Sequence, residues 1–212
     1  MEQKKSRAVI MGGADISDYS FYMPLSDDFV ICADRGYLHA RNLGVVPDVL
    51  LGDFDSLDLE KPDLVKTLQY PAEKDATDLQ IALEYAADKG FREIYVIGAL
   101  GGRTDHFLAN VCMMRYALEK GCNMILEDND TKLQLLTNEL SLSRRKNFYL
   151  SVIPIFESAV VSLSGVKYPL SEKRLIVGDT LGVSNEFAGG EAHIRVHSGS
   201  VLVVECRADK EL

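Results

Sequence analysis

The feature that most constrains the fold is a change of periodicity near residue 130. Before it, short apolar runs at 8–11, 29–33, 49–51, 94–97 and 124–126 alternate with segments of helical period. The clearest helix spans 77–89, where Leu79, Ala82, Leu83 and Ala86 share one face and Gly90 supplies a stop. A second spans 104–120, with Phe107, Leu108, Val111 and Met114 predicted inward and Gly121 at its end. Strand-helix alternation of this kind implies a mostly parallel sheet with right-handed crossovers. After about Lys132 the helical period vanishes, and β-type runs at 148–155, 159–163, 174–177, 192–196 and 201–206 are punctuated by glycine turns. The expected architecture is an N-terminal α/β domain over residues 1–130 and a C-terminal antiparallel β-sandwich over 131–212, joined near 128–140.

Charge narrows the partners. The net charge is −9, and residues 1–130 carry 13 Lys and Arg against 23 Asp and Glu, while 131–212 carry 10 against 9. An acidic first domain is a poor match to a phosphate backbone, so nucleic acid is not expected as a partner. An acid-rich half that handles an anionic nucleotide would need metal ions as intermediaries. Cys32, Cys112, Cys122 and Cys206 stand among apolar neighbours without metal-binding spacing and read as buried free thiols. The sequence has neither a signal-peptide core nor an apolar span of bilayer length, which points to a cytoplasmic protein without a membrane partner.

In open α/β sheets ligands bind beyond the carboxyl ends of the strands. The residues following each apolar run are repeatedly acidic. Asp34-Arg35-Gly36 follows 29–33, and Gly52-Asp53-Phe54-Asp55-Ser56 follows 49–51. There Gly52 lets the backbone turn, and a Phe between two Asp can anchor inward while both carboxylates emerge, an arrangement suited to Mg²⁺ shared with phosphate; in isolation the same pair reads as two Asp solvating a surface turn. Lys74-Asp75-Ala76-Thr77-Asp78 opens the clearest helix, and Gly101-Gly102-Arg103-Thr104-Asp105-His106 follows 94–97. Thr77 with Gln80 also fits a capping box, Thr104 is placed to cap its helix, and the glycine pair is neither a Walker A nor a full dinucleotide fingerprint. If one sheet edge gathers Asp34, Asp53, Asp55, Asp78 and Asp105, their repulsion is costly without cations between them. Arg35, Lys74 and Arg103 would add phosphate-binding charge. The chemistry suggested is metal-assisted transfer of a phosphoryl-type group.

Together with Gly182-Val183-Ser184-Asn185-Glu186-Phe187, which by composition alone reads as a turn before a strand, these motifs in this order resemble the thiamine pyrophosphokinase family in its bacterial form. The resemblance covers nearly the whole chain. It implies a homodimer with active sites at the subunit interface, and the conversion of thiamine and ATP to thiamine diphosphate and AMP. It further implies that Asp53, Asp55 and Asp78 hold Mg²⁺, with Asp34 and Asp75 close by. Arg35, Lys74, Thr77, Arg103 and His106 would serve the ATP phosphates, and Asp105 the reacting centre. Ser184, Asn185 and Phe187 would meet thiamine. Two alternatives are a transferase acting on another hydroxymethyl heterocycle and a sensor that binds thiamine or a nucleotide without turnover.

Overall fold

The computed structural model describes residues 6–52, 65–69 and 75–208. The chain divides into two compact units, Met1–Asn129 and Asp130–Leu212. In the first, the described strands are β1 (Arg7–Met11), β2 (Asp28–Ala33), β3 (Val49–Gly52), β4 (Lys66–Gln69), β5 (Glu93–Ile97) and β6 (Asn123–Glu127). The helices are α1 (Tyr37–Leu43), α2 (Asp78–Asp88) and α3 (Thr104–Glu119), with one 3-10 turn at Asp34–Gly36. The strands lie in the order β4-β3-β2-β1-β5-β6, and every pairing is parallel. Central β1 shows why the apolar runs are unbroken: Ala8, Val9, Ile10 and Met11 are all fully buried. A strand covered on both faces has no solvent side to alternate with. Each large side chain so buried contributes roughly 1.5–3 kcal/mol.

Helix α2 buries Leu79, Ala82, Leu83 and Ala86 as the spacing predicts, and Thr77 Oγ1 caps it by accepting the Gln80 N–H at 3.2 Å. Helix α3 departs from expectation. Its buried positions are Asn110, Val111, Met113, Met114 and Ala117, whereas Leu108 is 56% exposed. Asn110 takes a core-facing place because its amide donates to the Ala99 carbonyl at 2.8 Å, and the 110/113/114/117 stripe turns Leu108 outward. Thr104 is the first helical residue rather than the cap; Arg103 occupies the cap position without a side-chain cap bond. The short α1 and the edge strand β4 carry too little apolar pattern to stand out in sequence.

The second unit is all β. Its strands β7 (Thr131–Leu136), β8 (Glu139–Ser143), β9 (Phe148–Ile153), β10 (Ala159–Ser164), β11 (Leu170–Leu175), β12 (Glu191–Ser198) and β13 (Val201–Arg207) form two antiparallel layers, β7-β13-β9 and β11-β10-β12-β8. Leu150, Val152, Val201 and Val203 of one layer meet Val161, Leu163, Leu175, Ala192 and Ile194 of the other in one core. Strand β12 alternates strictly, with Ala192, Ile194 and Val196 buried and their neighbours exposed. The fold class is therefore the expected one, a parallel α/β sheet followed by an antiparallel sandwich. The run at 174–177 is displaced: β11 ends at Leu175, and Ile176 and Val177 are exposed. Asp179 closes a turn there, its carboxylate accepting the Ile176 N–H at 2.9 Å while its own N–H donates to the Ile176 carbonyl. Local side-chain bonding of this kind outcompetes β propensity. All four cysteines are free; Cys32 and Cys122 are buried, but Cys112 and Cys206 are exposed, contrary to the sequence reading. Among the described residues no helix is long and apolar enough to cross a membrane.

Candidate functional site

The chain leaves β1 outward through β2 to β4, then returns to place β5 on the other flank of β1. That reversal is the topological switch point where open α/β sheets hold ligands. A cleft of about 600 Å³ opens there. Its walls are residues 12–15 after β1, Asp34 and Arg35 after β2, the start of α2, the 98–103 loop after β5, and His106 and Asn110 of α3.

The backbone crowds together at the floor. A Cβ on Gly12 would stand 2.5 Å from the Gly98 carbonyl oxygen, and one on Gly36 would overlap the Met11 carbonyl. Only glycine permits this approach, which brings main-chain groups rather than side chains to the ligand. Two carboxylates enter from separate elements. Asp34 is half-buried at a positive φ of 47°, a left-handed conformation costly for a side chain and concentrated at functional sites. Its carboxylate lies against Gly52, where a Cβ would overlap Oδ1. Asp78 lies in the first turn of α2, where the helix dipole favours negative charge.

Cationic side chains border the cleft. Arg103 pairs with Asp105 through two bonds, Nη2 to Oδ2 at 2.5 Å and Nε to Oδ1 at 3.1 Å, and both side chains are largely exposed. The Arg103 guanidinium draws the Asp105 carboxyl down to about 2, aided by the His106 N–H, which donates to Oδ1 at 3.0 Å. Asp105 is thus ionised at neutral pH. Arg35 approaches Asp15 at 3.5 Å, again in the open.

Of the residues singled out in sequence, Asp34, Arg35, Thr77, Asp78, Arg103 and His106 line this cleft. Asp75 is exposed two residues before the α2 cap, and Asp105 reaches the cleft wall through Arg103. Asp53, Asp55 and Lys74 lie outside the described residues. Among the described residues no three His, Cys, Asp or Glu side chains form a metal-binding group. The Asp34 carboxylate seated against the residue preceding Asp53 nevertheless fits an oxygen-only site, the donor chemistry that suits Mg²⁺. Sequence reasoning missed the 12–15 loop, although Gly12-Gly13 directly after an apolar run was a legible signal. It also missed Asn110.

In the second unit Ser184 is exposed and adopts a positive φ of 57°, its N–H donating to Ser151 Oγ at 2.9 Å. Asn185 is buried and pins the loop: Oδ1 accepts N–H groups of Tyr168 and Glu186, both at 3.0 Å, and Nδ2 donates to the Tyr168 carbonyl at 2.8 Å. Phe187 lies in the core of this unit.

Fold and cleft together define an α/β unit with a cleft at its topological switch point, followed in the chain by an all-β unit. The family description "Thiamin pyrophosphokinase, catalytic domain" matches residues 24–126, and "Thiamin pyrophosphokinase, vitamin B1 binding domain" matches 137–202. The thiamine pyrophosphokinase of Bacillus subtilis is 31% identical over 182 residues, covering 82% of this chain and 85% of that protein. The crystal structure of a Bacillus subtilis thiamine pyrophosphokinase superposes with a TM-score of 0.86 at 27% identity, covering 96% of this chain and all of that one. A thiamin pyrophosphokinase family protein from Enterococcus faecalis gives 0.82 at 29% identity, covering 97% of this chain and all of that one. The chain belongs to the thiamine pyrophosphokinase family.

Proposed function

We propose that this chain is an ATP:thiamine diphosphotransferase, producing thiamine diphosphate and AMP. The observation that carries the reading is the ordered match of a catalytic and a vitamin B1 binding description to residues 24–126 and 137–202. In this reading residues 1–130 bind ATP and residues 131–212 bind thiamine. The protein works in the cytoplasm as a homodimer with active sites at the subunit interface.

The ATP phosphates enter the switch-point cleft, where the close-packed glycine backbone, Thr77, His106, Arg35 and Arg103 receive them, and Lys74 adds to the charge that holds them. Asp53, Asp55 and Asp78 would hold Mg²⁺, to which Asp34 and Asp75 would add their charge. When bound, the ion offsets the negative charge of the triphosphate. The thiamine hydroxyl attacks the β-phosphorus in line, the bond from that phosphorus to the oxygen shared with the α-phosphorus breaks, AMP departs with that oxygen, and the hydroxyl proton is released to solvent. Asp105 accepts a hydrogen bond from the hydroxyl and orients it. Its contribution is alignment rather than proton abstraction, as in phosphoryl transfers where positioning carries the rate. Ser184 offers its hydroxyl to thiamine, Asn185 sets the shape of the loop that presents it, and Phe187 supports that loop from the core.

The test is incubation of the purified protein with thiamine, ATP and Mg²⁺, following products by chromatography. AMP and thiamine diphosphate are expected in equal amounts, and chelation of the metal abolishes both. ADP with thiamine monophosphate would overturn the proposed site of attack.

A further inference from the structure

We propose that His39, which touches neither the reacting atoms nor the cleft surface, is a positioning residue that holds the 12–15 loop in its phosphate-receiving shape. The inference rests on the reading of the cleft as a nucleotide site. His39 is the third residue of α1 and is 6% exposed. Its Nε2 lies 2.9 Å from the Ala14 carbonyl oxygen, and its Nδ1 lies 2.7 Å from the Tyr19 hydroxyl. Asn42 Nδ2 donates to that hydroxyl at 3.2 Å.

A carbonyl only accepts, so Nε2 carries the proton given to Ala14. Asn42 donates to the Tyr19 hydroxyl, whose own proton is thereby available to Nδ1, and in that arrangement the imidazole is the neutral Nε2–H tautomer. Burial agrees with this, lowering the affinity of His39 for a second proton, although the Ala14 carbonyl and Asp15 oppose that effect and Arg35 adds to it.

The same ring tip reaches both walls of the switch point. A Cβ on Gly98 would lie 3.0 Å from His39 Nε2. The Ala14 N–H donates to the Gly98 carbonyl at 2.9 Å, and the Gly12 N–H to the Ile97 carbonyl at 2.8 Å. Ala14 is thus bound at its nitrogen by the exit of β5 and at its oxygen by His39. With Gly12 and Gly13 just before it, this loop has little stiffness of its own. The Nε2–H keeps the Ala14 carbonyl turned into the protein. Released, that peptide can rotate its oxygen toward the cleft, where it would repel phosphate.

The decisive experiment measures ATP-Mg²⁺ binding calorimetrically, without thiamine, for the full-length wild type, His39→Leu and His39→Gln. Leu retains bulk but neither bond, and the Gln amide donates near the place of Nε2–H. Loss of one such bond is expected to weaken ATP binding about tenfold in His39→Leu, with most of the affinity regained in His39→Gln. Steady-state assays should show KM for ATP rising while KM for thiamine stays put, and hydrogen exchange should quicken across residues 12–15. Equal ATP affinity in all three proteins overturns the inference, as does equal loss in both variants accompanied by a lowered Tm. If His39→Leu does not fold, Tyr19→Phe decides: removing the proton given to Nδ1 should weaken ATP binding about threefold, and unchanged affinity overturns the inference. Failure of the wild type itself to bind ATP overturns the nucleotide reading and this inference with it.

Discussion

Two bidentate Arg–Asp pairs stand at opposite ends of the parallel sheet of the first unit. At the amino end, Arg7 of β1 faces Asp28 of β2 in register, with Nε to Oδ1 at 2.6 Å and Nη2 to Oδ2 at 3.1 Å. The Asp28 side chain is 2% exposed and also accepts the Leu25 N–H at 2.9 Å and the Tyr22 hydroxyl at 3.3 Å, while the Arg7 guanidinium lies 5.1 Å from the Tyr95 ring centroid. At the carboxyl end, Arg103 and Asp105 share the same fork geometry but are 74% and 64% exposed. A fork so enclosed has no place for a ligand. An exposed one can exchange its carboxylate for phosphate at little cost, because water and salt already weaken the pair. Pair geometry therefore does not assign a role; burial and position along the strands do.

The largest effect is expected at the buried pair. Asp28→Ala leaves the Arg7 charge without its fork partner and should cost about 3–5 kcal/mol, read by urea unfolding. Activity per folded molecule should persist. Arg103→Ala should do the reverse, leaving the urea midpoint close to wild type while kcat/KM for ATP falls about 100-fold, in the range found when one charge-stabilising donor is removed. Substantial unfolding by Arg103→Ala, or a large activity loss in folded Asp28→Ala, would break the comparison.

The two pairs were not equally legible in sequence. Arg103 and Asp105 follow a strand and a glycine pair, so the rule that ligands gather at carboxyl ends found them. Asp28 precedes its apolar run and Arg7 lies 21 residues away, so only the pairing of β1 with β2 brings them together. Parallel pairing is a tertiary fact that single-sequence periodicity cannot supply. The same reason explains His39. A histidine in a seven-residue helix carries no local signal, and its role arises from the 12–15 loop and Gly98 arriving from two other strands. Long unbroken runs such as 94–97 were readable because burial on both faces leaves its mark locally. Leu108 was misplaced because the buried stripe of α3 includes the polar Asn110, which its bond to Ala99 carries into the core beside Val111, Met113, Met114 and Ala117.

Acid separates the two pairs by the smallest expected effect. Burial alone would raise the Asp28 carboxyl, but the Arg7 fork and the Leu25 N–H outweigh it and hold the group below its ordinary value. The folded protein therefore binds fewer protons than the unfolded chain in that range. Its contribution to stability is complete above the unfolded carboxyl value of about 4 and is lost as pH falls through the depressed folded value. Arg103 draws the Asp105 carboxyl down with the same sign, but the exposure of both side chains lets solvent screen the pair. Arg7→Gln should return the Asp28 carboxyl upward, so the stability gap between wild type and this variant should narrow on going from about pH 6 to pH 3. Asp105→Asn should show the same narrowing to a smaller extent. Urea denaturation at each pH reads both curves; a constant gap for Arg7→Gln, or a larger change of gap for Asp105→Asn than for Arg7→Gln, would mean that enclosure does not distinguish the pairs.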